Sequence, residues 1–202
     1  MDDRPVGIFD SGMGGLTALR VLRELLPGED IAYLGDTARV PYGGRSVAEL
    51  IEIARSDARF LRARAIKAML VACGPVSSNC LDEVEKTAGV PVIGVVKPAA
   101  AEAAASTKNG RVGVLPTVAT THSGPFVREL KAIDPDIEPV PSGSPLLLPL
   151  VEAGSSDPAD PYVALTLDAY PPDLRPARVH PLTPHRPTCP PPPEHITSTH
   201  AD

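Results

Sequence analysis

The sequence predicts an α/β fold built on a mostly parallel, doubly wound sheet, and three observations carry that reading. Apolar runs of strand length alternate with segments whose apolar residues recur at helical spacing. Strands separated by helices join through right-handed crossovers, which makes the sheet parallel and puts ligands beyond the carboxyl ends of its strands. All 16 glycines of the 202-residue chain lie at or before Gly154, while 10 of the 25 prolines and four of the five histidines fall in the last 32 residues. A globular part is therefore followed by a tail of different character.

In chain order, Val6 to Phe9 reads as the first strand and Leu16 to Leu26 as the first helix, joined through Asp10-Ser11-Gly12-Met13-Gly14-Gly15. Ile31 to Leu34 is the second strand. A loop with Asp36, Arg39, Tyr42, Gly43 and Gly44 leads from it to a helix over Val47 to Leu61, capped by Ser46. Ala68 to Ala72 is the third strand; it ends at Cys73, a helix begins near Pro75 or Ser77, and helical spacing runs from Ser78 to Thr87. Val92 to Val96 and Val112 to Leu115 supply further strands, and Ala99 to Thr107 and Gly124 to Ala132 further helices. After Tyr170 there is no glycine, no aromatic residue and no apolar run longer than two. Residues 171–202 cannot bury enough surface to offset the ordering of their backbone and are expected to be disordered. The four prolines from Pro190 favour polyproline II, with an SH3-type ligand as the only binding role this bias suggests.

Composition narrows the function classes. Hydrophobic residues make up 43% of the chain but aromatics only 3%, with no Trp, so the core is expected to be aliphatic and alanine-rich. A net charge of -6 offers no basic field for a phosphate backbone, which argues against nucleic acid as a partner. No apolar run approaches the roughly 20 residues that span a bilayer, and the acidic start Met1-Asp2-Asp3 does not open a secretory signal, so neither a membrane nor export is expected and the cytoplasm is. Three widely spaced cysteines form neither a disulfide framework nor a zinc motif and read as free thiols. The tail histidines match no metal spacing, and no metal site is expected.

Three constellations fall at strand ends. The Asp10 to Gly15 turn could present backbone N–H groups to an anion at a helix start, or its glycines could serve a tight turn alone. Its spacing is neither the dinucleotide fingerprint nor a Walker loop. Asp10 could hold an ammonium group, orient a catalytic partner or cap the helix. The Asp36 to Gly44 loop gathers polar groups as a ligand loop would, although its composition taken alone favours an ordinary glycine-rich surface loop. Cys73 precedes a helix whose positive end lowers a thiol's pKa, which would suit a base or nucleophile; a small buried hydrophobe is the competing reading, and it fits Cys80 well. His122 and Cys189 receive no role. Glu152, after the apolar run Leu146-Leu147-Leu148, could point into a cleft or be solvated.

Together, IFDSGMGGLTALR, YLGDTARVPYGGRS, the LVAC strand ending in Cys73, PVIGVVKPA, NGRVGVL and PLVEAG resemble glutamate racemase, from Val6 to about Tyr170. The resemblance implies two similar α/β domains closing over one amino acid, with residues 1–96 as the first and 97–170 as an incomplete second. It implies a cofactor-independent isomerase that supplies D-glutamate for peptidoglycan. Two cysteines would face opposite sides of the α-carbon, one removing a proton and the other delivering one. By matching motif, Cys73 resembles one of these thiols and Asp10 a catalytic-orientation residue. Asp10, Ser11, Tyr42 and Gly43 resemble substrate contacts, and Glu152 resembles an acidic residue of the second half. Glutamate is the implied small-molecule partner; a homodimer, and for some members a contact with gyrase, belong to the same family-level expectation.

Two departures stand out. Gly74-Pro75 replaces the Asn-Thr pair that commonly follows the first cysteine, and Pro75 has no N–H to donate. The second cysteine's Gly-Cys-Thr-His-Tyr-Pro string is absent, and neither Thr188-Cys189-Pro190 nor His195 reproduces it. The tail is compositionally foreign, as a shifted reading frame or a truncated fragment would be. The expectation is therefore feeble racemisation or none. The alternatives are a non-catalytic homologue that binds an amino acid or a protein, and a related aspartate or hydantoin racemase; the PYGGRS loop favours glutamate.

Overall fold

A computed structural model describes residues 2–114, 124–141, 160–168 and 180–182. The chain divides into two units, with the division between Val95 and Val96.

The first unit is a four-stranded parallel sheet in the order β2-β1-β3-β4, from β1 (Val6–Asp10), β2 (Ile31–Gly35), β3 (Ala68–Val71) and β4 (Val92–Gly94). Helices α1 (Leu16–Leu25), α2 (Val47–Arg62), α3 (Gly74–Asn79) and α4 (Leu81–Ala88) make the crossovers. Register fixes what meets at the carboxyl ends: Asp10 lies beside Gly35, Phe9 beside Val71, and the Ala72 N–H donates to the Phe9 carbonyl at 2.9 Å. Cys73 is thus delivered next to the turn that follows β1.

Local sequence explains the helices. Ser46 caps α2 as expected: the Glu49 N–H donates to Ser46 Oγ at 3.3 Å and the Ser46 N–H to Glu49 Oε2 at 2.9 Å, a reciprocal box that satisfies two otherwise orphaned donors. Leu50, Ile53, Ala54, Ala58 and Leu61 of α2 enter the core with Phe9, Met69, Val71, Val76 and Val84. The helical spacing expected from Ser78 is interrupted. Cys80, at φ -133° and ψ 7°, separates α3 from α4, and α3 begins at Gly74 with Pro75 in the first turn, where a missing N–H costs nothing. Gly89 closes α4 in the left-handed region, φ 66°, which glycine enters without a steric penalty.

The second unit has a three-stranded parallel sheet in the order β6-β5-β7, from β5 (Arg111–Val114), β6 (Glu138–Pro141) and β7 (His180–Leu182), with helices α5 (Val96–Ser106), α6 (Pro125–Ile133) and α7 (Pro161–Asp168). Ala99, Ala100, Ala103, Val112, Val114, Phe126, Leu130 and Ile137 form its core. The aliphatic, alanine-rich interior is as expected, with Phe9 and Phe126 as its largest buried side chains.

Several boundaries differ from the sequence reading. Val96 opens α5 instead of closing β4, because Pro98 is tolerated in a first helical turn. Strand β6 was not expected; it contains Pro139 and Pro141, and on an edge strand a proline need not donate to a ladder. The same holds for β7, whose three residues fall inside the segment expected to be disordered and pair with β5 at the other edge. Leu115, the end of the expected fifth strand, lies outside the described residues. Among the described residues, no helix is long and apolar enough to cross a membrane.

Candidate functional site

The turn after β1 is organised around Asp10. Its Oδ2 accepts the Gly12 N–H at 3.1 Å and the Gly15 N–H at 3.0 Å, and its side chain is buried. The anion that the Gly12 and Gly15 amides bind at the start of α1 is therefore the chain's own carboxylate, which among the readings left open by the sequence favours Asp10 as a cap over an external anion for these two amides. The helix has no side-chain cap on Gly15 itself, so Asp10 serves that purpose from five residues upstream. Gly15 has ordinary helical angles, φ -62° and ψ -8°, so space rather than conformation demands a glycine there. A Cβ would lie 2.8 Å from the Asp10 Cβ and 3.1 Å from Tyr33 Cε2. Gly35 is constrained likewise, since a Cβ there would collide with the Gly12 carbonyl, which also accepts the Tyr33 hydroxyl at 2.8 Å.

Cys73 sits at the junction of β3 and α3 with 1% of its surface exposed. Burial pushes its thiol up to about 12; the Asp10 charge raises it further, while hydrogen bonds from the Val76 N–H and from the Ser11 hydroxyl and N–H lower it. The expectation of a thiol poised low by a helix N-terminus is thus overturned. The helix does donate, through Val76, but withdrawal from water outweighs it. Cys73 is not isolated among aliphatic neighbours, however: Asp10 and Ser11 reach it, and Tyr42 lies within its electrostatic influence. Cys80 is buried in the same core, its thiol pushed up to about 11 by burial, which fits its reading as a small hydrophobe.

Tyr42 is buried in the loop between β2 and α2, where its hydroxyl donates to Asp36 Oδ2 and lies 3.2 Å from Asp57 Oδ2. Arg39 bridges the two carboxylates, Nε to Asp36 Oδ2 at 2.6 Å and Nη2 to Asp57 Oδ1 at 2.5 Å. Burial raises the Tyr42 phenol well above its usual range. Burial also pushes Asp57 up to about 6, against the pull of Arg39. Gly43, beside Tyr42, is half-buried. The structure thus brings Asp10, Ser11 and Cys73 together, with Tyr42 close by. Glu152, His122 and Cys189 lie outside the described residues.

Asp57 escaped the sequence reading, and a signal for it existed. It occupies the position of the α2 apolar stripe between Ala54 and Leu61, where a carboxylate needs a partner. Among the described residues, no group of three or more His, Cys, Asp or Glu side chains is placed to hold a metal.

Residues 31–162 match the Asp/Glu/hydantoin racemase family, well over half of the chain. The chain belongs to that family. Among curated racemases of this family, the glutamate racemase of Geobacter metallireducens is 42% identical over 179 residues, 89% of this chain and 66% of the relative. That of Chlorobaculum tepidum is 46% identical over 169 residues, 83% and 61%. The chain therefore spans less than two thirds of the length of these relatives. In structure it is similar to glutamate racemase from Francisella tularensis in complex with D-glutamate, with a TM-score of 0.83, 32% identity and coverage of 92% of this chain and 70% of that one. It is also similar to the Bacillus anthracis glutamate racemase, with a TM-score of 0.80 and 30% identity over 92% and 70%. The α/β racemase fold expected from the sequence is the fold observed.

Proposed function

We propose that this chain carries a proton-transfer thiol of a cofactor-independent glutamate racemase, with Cys73 acting on one face of the substrate α-carbon. The observation that supports this most is the convergence of the Ser11 hydroxyl, the Ser11 and Val76 amides and the Asp10 charge on one buried sulfur. Asp10 and Ser11 orient the thiol and contact the substrate, and Tyr42 and Gly43 contact it from the neighbouring loop. Glu152 belongs to the second half of the site on family resemblance alone. In this reading the product feeds peptidoglycan synthesis in the cytoplasm.

The chemistry follows from charge. An amino-acid α-proton is very weakly acidic, so the base must be strong and the developing carbanion must meet fixed donors. A thiol pushed up to about 12 gives a strong base once ionised, and it is scarcely ionised without substrate. An α-ammonium group placed against Asp10 neutralises the charge that now raises the thiol and moves the proton balance toward thiolate. The thiolate then takes the α-proton, forming an S–H bond as the C–H pair passes to the carboxylate as a planar enediolate. Inversion requires a second acid on the opposite face, and the string that would supply it is absent from this sequence. The proposed outcome is exchange at one enantiomer with little inversion.

Proton NMR of D- and L-glutamate in deuterated buffer tests this. Loss of the α-proton signal from one enantiomer is expected. No loss from either would contradict the reading of Cys73, and ordinary turnover in both directions would contradict the impairment. A binding protein that never touches the α-proton is the competing reading; the missing second motif favours it, and it predicts glutamate affinity without exchange.

A further inference from the structure

Asp57 is the only charged residue on the buried face of α2. Its Oδ1 receives Arg39 Nη2 at 2.5 Å and its Oδ2 lies 3.2 Å from the Tyr42 hydroxyl, across sequence separations of 18 and 15 residues. Arg39 in turn engages Asp36 at 2.6 Å, and Arg45 Nη2 donates to the Arg39 carbonyl at 2.6 Å. The side chains that shape residues 36–46 are thus tied to each other and to α2, at its exposed start through Glu49, which meets Ser46 and Arg45, and on its buried face through Asp57. We propose that Asp57 is the positioning residue of this loop: by holding Arg39 and the Tyr42 hydroxyl against α2, it fixes Tyr42 and Gly43 beside Cys73.

The energetics favour geometry over fold stability as its purpose. Burial raises Asp57, so its charge is a cost to the folded state, and a buried ion pair can often be replaced by apolar residues without loss. What an apolar side chain could not do is anchor a guanidinium and a phenol that belong to another element. A fork of donors meeting two acidic partners fixes direction as well as distance. Asp57 touches no substrate in this arrangement; it acts through the loop.

The consequence for glutamate rests on the racemase reading above, while the loop itself can be tested apart from it. Amide hydrogen exchange of the full chain reports on Arg39 and Arg45, whose N–H groups bond to the Asp36 and Tyr42 carbonyls. In Asp57→Ala these amides should lose protection at least about tenfold, the equivalent of one charge-assisted hydrogen bond. Amides of β1 and β3 should keep theirs. Arg39→Met, which breaks the same clamp from the half-exposed loop side, should do likewise and guards against a variant that fails to fold. Asp57→Asn keeps an oxygen acceptor and sheds the disfavoured charge, and should restore most of the protection. In the variants that loosen the loop, glutamate should bind about tenfold more weakly while exchange at saturating glutamate changes little. Unchanged loop protection in both breaking variants overturns the proposal. So does protection lost equally across β1 and β3, which a merely structural residue would produce, or an Asn variant as loose as Ala. A wild-type chain that binds no glutamate defeats the racemase reading, and the loop measurements still decide the role of Asp57.

Discussion

Replacing Gly15 by alanine tests how tightly the site is built. The added methyl would stand 2.8 Å from the Asp10 Cβ, 3.1 Å from Tyr33 Cε2 and 3.2 Å from the Tyr33 hydroxyl. Carbon atoms in contact prefer about 3.5–4.0 Å, so Asp10 or the turn must retreat by roughly 1 Å. Neither neighbour is free to do so. Asp10 is held by two amides and by the strand, and the Tyr33 hydroxyl by the Gly12 carbonyl. Overpacking of this kind costs about 1–3 kcal/mol. For a unit of 95 residues that lowers the melting temperature by about 5–20 °C. Gly44→Ala is the matched control: nothing lies within 4 Å of its Cβ and its φ is not positive, so stability should hold or rise by about 0.4–1 kcal/mol. Urea titrations followed by far-ultraviolet circular dichroism compare the two. A Gly15→Ala midpoint equal to that of Gly44→Ala would refute the argument that space selects glycine here.

Three further outcomes follow from the charges. Asp57 is raised in the folded chain from 3.8 to about 6, so its contribution to stability is full below about pH 4 and is lost as pH rises through about 6. Two units are on the order of 3 kcal/mol, so urea midpoints measured at pH 4 and 7.5 should fall more for wild type than for Asp57→Asn. With its thiol near 12, Cys73 holds roughly one thiolate in ten thousand at pH 8, against about one in ten for a thiol at the ordinary 9.0. Peptide mapping should therefore find iodoacetamide labelling of Cys73 slow at pH 8 and rising about tenfold per pH unit; rapid labelling at pH 7 would contradict this. Asp10→Asn removes a charge that raises this thiol and Ser11→Ala a donor that lowers it, so the labelling rates should move up and down respectively. Shifts in the same direction would show that neither group acts on the sulfur as described.

Much of the first unit was legible because its strands are continuous apolar runs and its helices keep a clean apolar stripe. The placement of Asp10 and Cys73 at the carboxyl ends of strands followed from parallel topology alone; that the two strands are neighbours is shown by the sheet order. What sequence could not supply was depth. A helix N-terminus argues for a lowered thiol, and only the burial of Cys73 shows that desolvation prevails. Nor could it choose among the roles open to Asp10, whose carboxylate takes the Gly12 and Gly15 amides. Asp57 was readable in principle, as an acid within an apolar stripe, but its partners lie 15 and 18 residues away in a loop whose path sequence does not set. The edge strands β6 and β7 were hidden by prolines that only edge positions tolerate.

The role of the Cys73 sulfur is tested most directly by following α-deuterium incorporation into each glutamate enantiomer with wild type, Cys73→Ser and Cys80→Ser. The account predicts incorporation at one enantiomer that falls by about 10²–10⁴ in Cys73→Ser, as loss of a positioned acid or base does, and persists in Cys80→Ser. Incorporation that survives the loss of Cys73 undiminished would contradict it.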